Sequence, residues 1–157
     1  MKFRLLNQEE RAAFDEDFKH FLITNGVSNE EWLEMNETKP QKAEELVAIF
    51  SDTVFQKVME KMKFLELRAK DSLLVFNCSK DEIELIGIHP KSADAPVDLS
   101  TPESIHESLS QKAQELQFFK HKKGYSKERE LEVFEMIENG CVPSHEAFWM
   151  ALNKSIQ

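Results

Sequence analysis

The residues best suited to bind a metal ion lie in an acidic tract near the amino terminus. Glu16 and His20 are four residues apart and Asp17 and His20 are three apart, so a helix would place these side chains on one surface. A stable site needs further ligands from elsewhere in the chain, and the sequence identifies none. A solvated acidic helix face is therefore the favoured interpretation, and no metal or other cofactor is expected.

His89 is the strongest candidate for a catalytic side chain. We expect it at the end of a strand and the start of a long loop, where a rigid backbone is combined with solvent access. Asp94 or Asp98 would orient its imidazole if the loop folds back. Such a group would make a hydrolase or transferase site of unfamiliar type, which is the alternative function; a histidine that merely precedes Pro90 at a strand exit is the more ordinary interpretation.

The sequence lacks the common motifs of nucleotide-dependent enzymes and serine hydrolases. It contains no G-x-S-x-G, P-loop or G-x-G-x-x-G pattern, and its four glycines leave little scope for a phosphate-binding loop. A non-enzymatic protein-binding or regulatory module is therefore the preferred prediction.

An aromatic group near the carboxy terminus could bind another protein. Phe148, Trp149 and Met150 follow one another on the last predicted helix. Large apolar side chains that stay exposed are enriched in protein interfaces, so these residues would form a docking anchor if they are not all buried. Burial of at least two of the three in the core is the ordinary alternative.

A basic cluster in an otherwise acidic chain is the second candidate for binding. Its members are Lys120, His121, Lys122, Lys123, Lys127 and Arg129. Cations in the last turn of a helix are favoured by the helix dipole, which would explain part of the cluster. A docking patch for an acidic protein surface or an RNA phosphate is the functional interpretation.

Apolar periodicity predicts the elements that carry these residues. A capping box at Asn7 and Glu10 begins the first helix, and Pro40 begins the longest one. Three short apolar runs joined by tight turns predict a three-stranded antiparallel meander. The predicted helices span residues 8–24, 29–36, 40–62, 102–122, 127–138 and 145–154, the strands 63–69, 72–78 and 82–88, and a loop 89–100. The predicted class is α+β, a single domain with amino-terminal and carboxy-terminal helices packed around one small sheet.

The charge and the composition restrict the partners and the compartment. Among 157 residues, 29 Asp and Glu outnumber 20 Lys and Arg, which gives a net charge of −9. This charge repels phosphate backbones, so nucleic acid is a disfavoured partner and another protein, with a basic surface, is expected. No apolar run reaches the ~20 residues that cross a bilayer. No signal peptide develops and only two cysteines are present, so we expect a cytoplasmic protein.

Several motifs in the first 90 residues have the character of a family signature. They are Phe3-Arg4-x-Leu6-x-x-Glu9-Glu10, the spacing from Gly26 to Trp32, and Phe50-Ser51-Asp52-x-Val54-x3-Val58 followed by Phe64-Leu65-Glu66. With these motifs the chain resembles a family of small uncharacterised Bacteroidetes proteins, a domain of unknown function. The resemblance implies a cytoplasmic bacterial protein and carries over no activity. The polar pair Ser51-Asp52 is expected to bond the backbone or a neighbouring element, a structural role. Docking through an acidic helical face or the carboxy-terminal aromatic surface is the predicted function.

Overall fold

A computed structural model describes residues 1–156. The chain divides into two compact units, Met1–Val58 and a second unit that begins at Met59. The described residues form seven α-helices and one five-stranded antiparallel sheet, so the α+β class is confirmed. The expectation of a single domain stays a prediction. Within residues 1–156, no helix combines the length and the apolar composition needed to cross a membrane.

The first unit is helical. Its helices are α1 (Gln8–Ala13), α2 (Asp15–Thr24), α3 (Asn29–Thr38) and α4 (Pro40–Lys61), of which α4 continues into the second unit. The predicted capping box begins α1, because Asn7 and Glu10 each accept a hydrogen bond from the other's backbone N–H. The prediction of one helix over 8–24 is wrong, since Phe14 leaves the helical range (φ −107°, ψ 22°) and separates α1 from α2.

Aromatic rings pack the interior of this unit. The ring of Phe18 lies 5.1 Å from that of Trp32 and 5.0 Å from that of Phe50, measured between centroids. Phe21 lies 5.3 Å from Phe50. Tilted and edge-on pairs of this kind each add about 0.5–1.5 kcal/mol beyond the apolar area that they bury. The face of α2 that carries Phe18 and Phe21 therefore packs against α3 and α4.

The pair Ser51-Asp52 fixes the amino-terminal segment on α4. The Ser51 hydroxyl donates to the Val47 carbonyl at 2.7 Å and accepts from the Leu6 N–H at 3.0 Å. The Asp52 carboxylate accepts from the N–H groups of Lys2 and Phe3 at 2.6 and 2.9 Å. The predicted structural role of this pair is confirmed.

The second unit is built on the sheet. Its strands are β1 (Phe64–Ala69), β2 (Ser72–Cys78), β3 (Glu82–Pro90), β4 (Leu116–Gly124) and β5 (Val142–Pro143), in the spatial order β4-β3-β2-β1-β5. The predicted meander is present as β1 to β3. The sheet nevertheless has five strands and not three, because β4 and β5 extend it at its two edges.

The helix predicted over 102–122 is wrong beyond its first ten residues. The helix α5 covers Pro102–Gln111, a 3-10 turn follows at Ala113–Glu115, and the chain then enters β4. Pairing with β3 over the whole of β4 overrides the local apolar spacing that suggested a helix. The predicted loop is shorter at its start for the same reason, since His89 and Pro90 pair with Gln117 and Leu116.

Helices cover both faces of the sheet. The helices α5 and α7 (Glu146–Ile156) lie on one face, where the core cluster includes Leu73, Val75, Ile86, Ile88, Ile105, Trp149 and Leu152. The helix α6 (Arg129–Glu138) belongs to the opposite face: Val133 is fully buried, and a Cβ added at Gly140, just after α6, would lie 3.5 Å from Leu67.

Candidate functional site

The strand β4 forms an open edge of the sheet. It pairs with β3 from Pro90↔Leu116 to Glu82↔Gly124, and no strand within residues 1–156 pairs with its outer side. Every residue from 119 to 124 is exposed. The opposite edge presents far fewer free main-chain groups, because β5 has only two residues and Pro143 lacks an N–H.

The register identifies the main-chain groups that point outward from β4. In an antiparallel pair, alternate residues of a strand direct both N–H and C=O to the same neighbour. The N–H of Lys91 donates to the Glu115 carbonyl at 2.8 Å, so the odd-numbered residues of this segment face β3. Phe118, Lys120 and Lys122 therefore direct their donors and acceptors away from the sheet. Such a row is a template for pairing with another chain.

The side chains of β4 alternate between the two faces. Phe118 lies on the face covered by α5 and α7, and Phe119 lies on the opposite face. The Phe119 ring rests on Gly87, where a Cβ would come within 2.0 Å of the ring, and the residue is 41% exposed. The His89 ring lies 6.0 Å from it between centroids. Gly87 thus leaves room for an aromatic platform beside the open edge.

The lysines of the predicted basic cluster lie on this edge. Lys120 is 3.5 Å from a Glu84 carboxylate oxygen, Lys122 is 3.9 Å from Glu82, and Lys123 is 3.8 Å from Glu132. Lys120 also donates to the Asn153 Oδ1 at 2.6 Å, and the Glu132 partner of Lys123 is buried. Lys122 is held most loosely, because exposed ion pairs like its own contribute about 0–1 kcal/mol. The explanation by a helix dipole is wrong for this part of the cluster, because residues 120–123 are in a strand.

Arg129 is the exception in the basic cluster. Its largely buried guanidinium donates to the carbonyls of Met59 at 2.9 Å, Met62 at 2.5 Å and Cys78 at 3.0 Å. A further bond of 3.3 Å reaches the Ser79 carbonyl. The cation therefore caps the carboxyl end of α4, where carbonyls lack helical partners, and ties it to the end of β2. Of the two remaining members, Lys127 pairs with Glu135 at 2.6 Å and His121 is exposed on β4.

Polar contacts around the buried Glu132 and the half-buried Tyr125 hold the connection between β4 and α6 beside Arg129. The Glu132 carboxylate accepts from the Ser126 N–H at 3.0 Å and from its hydroxyl at 3.2 Å. The Tyr125 hydroxyl donates to the Ser79 carbonyl at 2.5 Å, and burial raises the pKa of Tyr125 to about 12. Burial likewise raises the pKa of the Cys78 thiol to about 11. These contacts are structural and keep the adjacent β4 edge in place.

A polar cavity of about 510 Å³ lies next to these groups. Its charged lining residues are Glu60, Lys63, Lys80, Arg129, Glu130 and Glu146. The donors of Arg129 are already directed at backbone carbonyls and at Glu130, and the other charges are of both signs. The lining therefore selects no single class of ligand.

The structure does not assemble the predicted catalytic group. The Nδ1 of His89 donates to the Pro90 carbonyl at 3.0 Å, because a carbonyl can only accept. The Asp98 carboxylate accepts from the N–H and hydroxyl of Ser100 at 3.0 and 2.6 Å, and these hydrogen bonds lower its pKa. Asp94 is exposed on a turn. In the part of the chain that the structure describes, no hydrogen bond or ion pair joins His89 to either aspartate.

The loop after β3 contributes to the core. Val97 and Leu99 are buried in the main cluster, and the Leu99 N–H donates to the Lys70 carbonyl at 2.9 Å. The Ser108 hydroxyl donates to the Asp98 carbonyl at 3.2 Å. The loop is therefore tied to the β1–β2 turn and to α5.

The other predicted ligands are placed on the surface or in the core. Glu16, Asp17 and His20 are exposed on α2, and across residues 1–156 no group of three or more His, Cys, Asp and Glu side chains is arranged to hold a metal ion. Trp149 is buried in the core and Phe148 packs partly against it, whereas Met150 is exposed. The carboxy-terminal group thus keeps one exposed member of three.

Comparison with known proteins gives one result. Neither the curated proteins nor the solved structures include a match to the chain. The family of unknown function (DUF6495) matches residues 1–157, the whole sequence. The motifs quoted above for a family resemblance lie within this range, and the chain belongs to the DUF6495 family of unknown function.

Proposed function

We propose that the protein is a protein-binding module that accepts an extended segment of another protein as an additional strand on the outer edge of β4. The observation that carries the proposal is the row of outward main-chain donors and acceptors at Phe118, Lys120 and Lys122, on a nine-residue strand that is exposed from residue 119 onward. In strand addition, such a row provides affinity and the alternate side chains provide specificity.

The Phe119 platform supports this assignment. An added strand would place every second side chain on the same face as Phe119 and next to its exposed ring. Large aromatic side chains contribute a disproportionate share of binding energy in protein interfaces. The edge therefore offers both main-chain pairing and an apolar contact.

The edge carries the lysines of the predicted basic cluster, and it is a better docking surface than the other two that the sequence suggested. Trp149 is used for packing the core, which leaves Met150 as the one exposed large apolar residue among the described residues of its helix. On the acidic face of α2, Lys19 pairs with Asp15 at 3.1 Å and no aromatic residue is exposed among residues 15–24. Neither surface combines an open backbone with an aromatic anchor.

The test is a selection of peptides from a random display library against the purified full-length protein. Bound peptides should slow hydrogen exchange at the outward amides of Phe118, Lys120 and Lys122, measured residue by residue by NMR. Binding without protection of these amides would overturn the proposal.

Two variants locate the site independently. Lys120→Pro removes an outward N–H and leaves the pairing with β3 intact, since proline is tolerated where the N–H faces solvent. The matched control, Met150→Ser, alters the exposed carboxy-terminal residue. We expect binding to be lost in the first variant and kept in the second; the reverse pattern would assign the function to the carboxy-terminal surface.

We also propose that the protein works in the cytoplasm of a Bacteroidetes cell. Cys78 and Cys141 are buried free thiols, which suits a reducing compartment. Fractionation of such cells with an antibody against the protein tests this, and recovery outside the soluble cytoplasmic fraction would contradict it.

A further inference from the structure

The open edge carries a local charge opposite to that of the whole protein. The segment 116–124 contains Lys120, His121, Lys122 and Lys123 and no carboxylate, in a chain of net charge −9. At physiological salt, charges are screened over about 8 Å, so a strand on this edge interacts with the adjacent lysines far more than with the distant acidic residues.

The inner side of β4 already binds a strand with alternate glutamates. Glu82 and Glu84 of β3 lie on the same face as Lys120 and Lys122, because Glu84 is opposite Lys122 in the register. The ion pairs run diagonally, Lys120 to Glu84 at 3.5 Å and Lys122 to Glu82 at 3.9 Å. Lys122 is 59% exposed and can also meet a carboxylate on the outer side. Lys120 is 32% exposed and can do so by exchanging its hydrogen bond to the Asn153 Oδ1.

Resting on the proposed function, we infer that the segment bound by β4 is acidic, runs antiparallel to it and has the pattern acidic–any–acidic–apolar. The two acidic residues lie opposite Lys122 and Lys120, and the apolar residue lies opposite Phe119. Antiparallel pairing matches the rest of the sheet and is the more stable arrangement per residue. Each directly opposed pair of opposite charges strengthens binding by about two- to fivefold.

A second copy of this chain fits the edge poorly. An antiparallel pairing of two β4 strands centred on Lys120 would place the two Lys120 side chains directly opposite each other. Like charges in that position are destabilising, and lysine on an edge strand is a common protection against self-pairing. A foreign acidic segment is therefore the occupant that the charges favour.

The test uses short synthetic peptides with the full-length protein. The first contains Glu-Thr-Glu-Val flanked by threonines, the second has glutamine in place of both glutamates, and the third has the first sequence reversed. We expect fluorescence anisotropy to show binding of the first peptide and binding about tenfold weaker for the second. The third keeps both charge pairs in antiparallel pairing but loses the contact of valine with Phe119, so its binding should be about two- to fivefold weaker. Equal affinity of the first two peptides would overturn the inference about charge, and equal affinity of the first and third would overturn the inference about direction.

Reversing the charge of the two lysines provides a second test of the inference. The double variant Lys120→Glu/Lys122→Glu should lose the acidic peptide and gain a peptide containing Lys-Thr-Lys-Val. The control variant, Lys39→Glu/Lys42→Glu, makes the same change of net charge at two exposed residues of the first unit and should bind like the wild type. Equal loss in both variants would overturn the inference, because the effect would then come from overall charge.

Protection of outward amides separates the failure of this inference from the failure of the proposed function. If the glutamine peptide protects the amides of Phe118, Lys120 and Lys122 as well as the acidic peptide does, strand addition is supported and the preference for acidic residues is contradicted. Protection that appears without any peptide, together with a dimeric mass in light scattering, would identify a second copy as the occupant. If an RNA oligonucleotide displaces the acidic peptide and leaves these amides unprotected, the lysines form a phosphate-binding surface. That result would overturn both the proposed strand addition and the inference of an acidic segment.

Discussion

Arg129 and Lys122 belong to one basic cluster of the sequence and have opposite roles in the structure. The Arg129 side chain is 12% exposed and its guanidinium donates to backbone carbonyls of α4 and β2. The Lys122 side chain is 59% exposed, and its ammonium lies 3.9 Å from a Glu82 carboxylate oxygen. A planar guanidinium with several donors can join carbonyls of different elements, whereas an ammonium on a flexible stem stays solvated. The arginine thus stabilises the fold, and the lysines leave the β4 edge accessible.

The largest expected effect comes from Arg129. Arg129→Met leaves the carbonyls of Met59, Met62 and Cys78 without their donor in a largely buried position. We expect a loss of about 3 kcal/mol in the free energy of unfolding, measured by urea denaturation. Lys122→Met is the control and should change it by less than about 0.5 kcal/mol. Equal losses in the two variants would remove the distinction between the residues.

The region around Arg129 should also lose stability at alkaline pH, because it contains the buried thiol of Cys78. Burial raises the pKa of the Cys78 thiol from 9.0 to about 11. Below pH 9 the thiol is protonated in both states, and between pH 9 and 11 only the unfolded chain loses the proton, so stability falls as pH rises. By pH 11 this titration should lower the free energy of unfolding by about 2 kcal/mol. Unfolding free energies of wild type and Cys78→Ala, each referred to its own value at neutral pH, should diverge over this range; parallel curves would contradict the prediction.

The contrast between the two kinds of cation could not be predicted from the sequence. The cluster itself was recognised, and a docking patch for an acidic surface was one interpretation of it. The acceptors of Arg129 lie 50 to 70 residues earlier in the chain, at Ser79, Cys78 and Met59, and no local pattern links them to it. A strand at residues 116–124 was hidden because Phe118 and Phe119 are adjacent and apolar, and four basic or polar residues follow, so no period-two alternation appears.

Features with a local cause were predicted well. The Thr101 hydroxyl accepts from the Ser104 N–H at 3.1 Å and begins α5, as the Thr101-Pro102 sequence indicates. The long helix after Pro40 and the three strands of the meander also follow from local periodicity and turn residues. Strand β4 depends on β3, more than 25 residues earlier, and tertiary pairing of that kind overrides local preference.

A smaller loss of stability is expected when Glu132, which lies next to the β4 edge, is substituted. This buried carboxylate accepts two bonds from Ser126 and lies 3.8 Å from Lys123 of the edge. Glu132→Ala should cost about 1–2 kcal/mol in thermal or urea unfolding, because the Ser126 N–H loses its acceptor. Glu135→Ala removes a shorter ion pair, 2.6 Å to Lys127, but both side chains are exposed and the cost should stay below about 0.5 kcal/mol. A larger loss for Glu135 would mean that the length of an ion pair, and not burial, decides its contribution here.

The smallest effect on stability, and the largest on association, is expected for the lysines together. The triple variant Lys120→Gln/Lys122→Gln/Lys123→Gln removes the ion pairs of these lysines and the hydrogen bond from Lys120 to Asn153, but glutamine can still donate hydrogen bonds at each position. Its unfolding free energy should therefore fall by no more than about 1 kcal/mol. The outward backbone row remains, and the like-charge repulsion that opposes pairing of two β4 edges disappears. Light scattering as a function of protein concentration should therefore reveal self-association in the triple variant and not in the wild type. Adding Lys120→Pro in place of Lys120→Gln should abolish that association, because the outward N–H is then missing; association that persists would place the contact elsewhere on the protein.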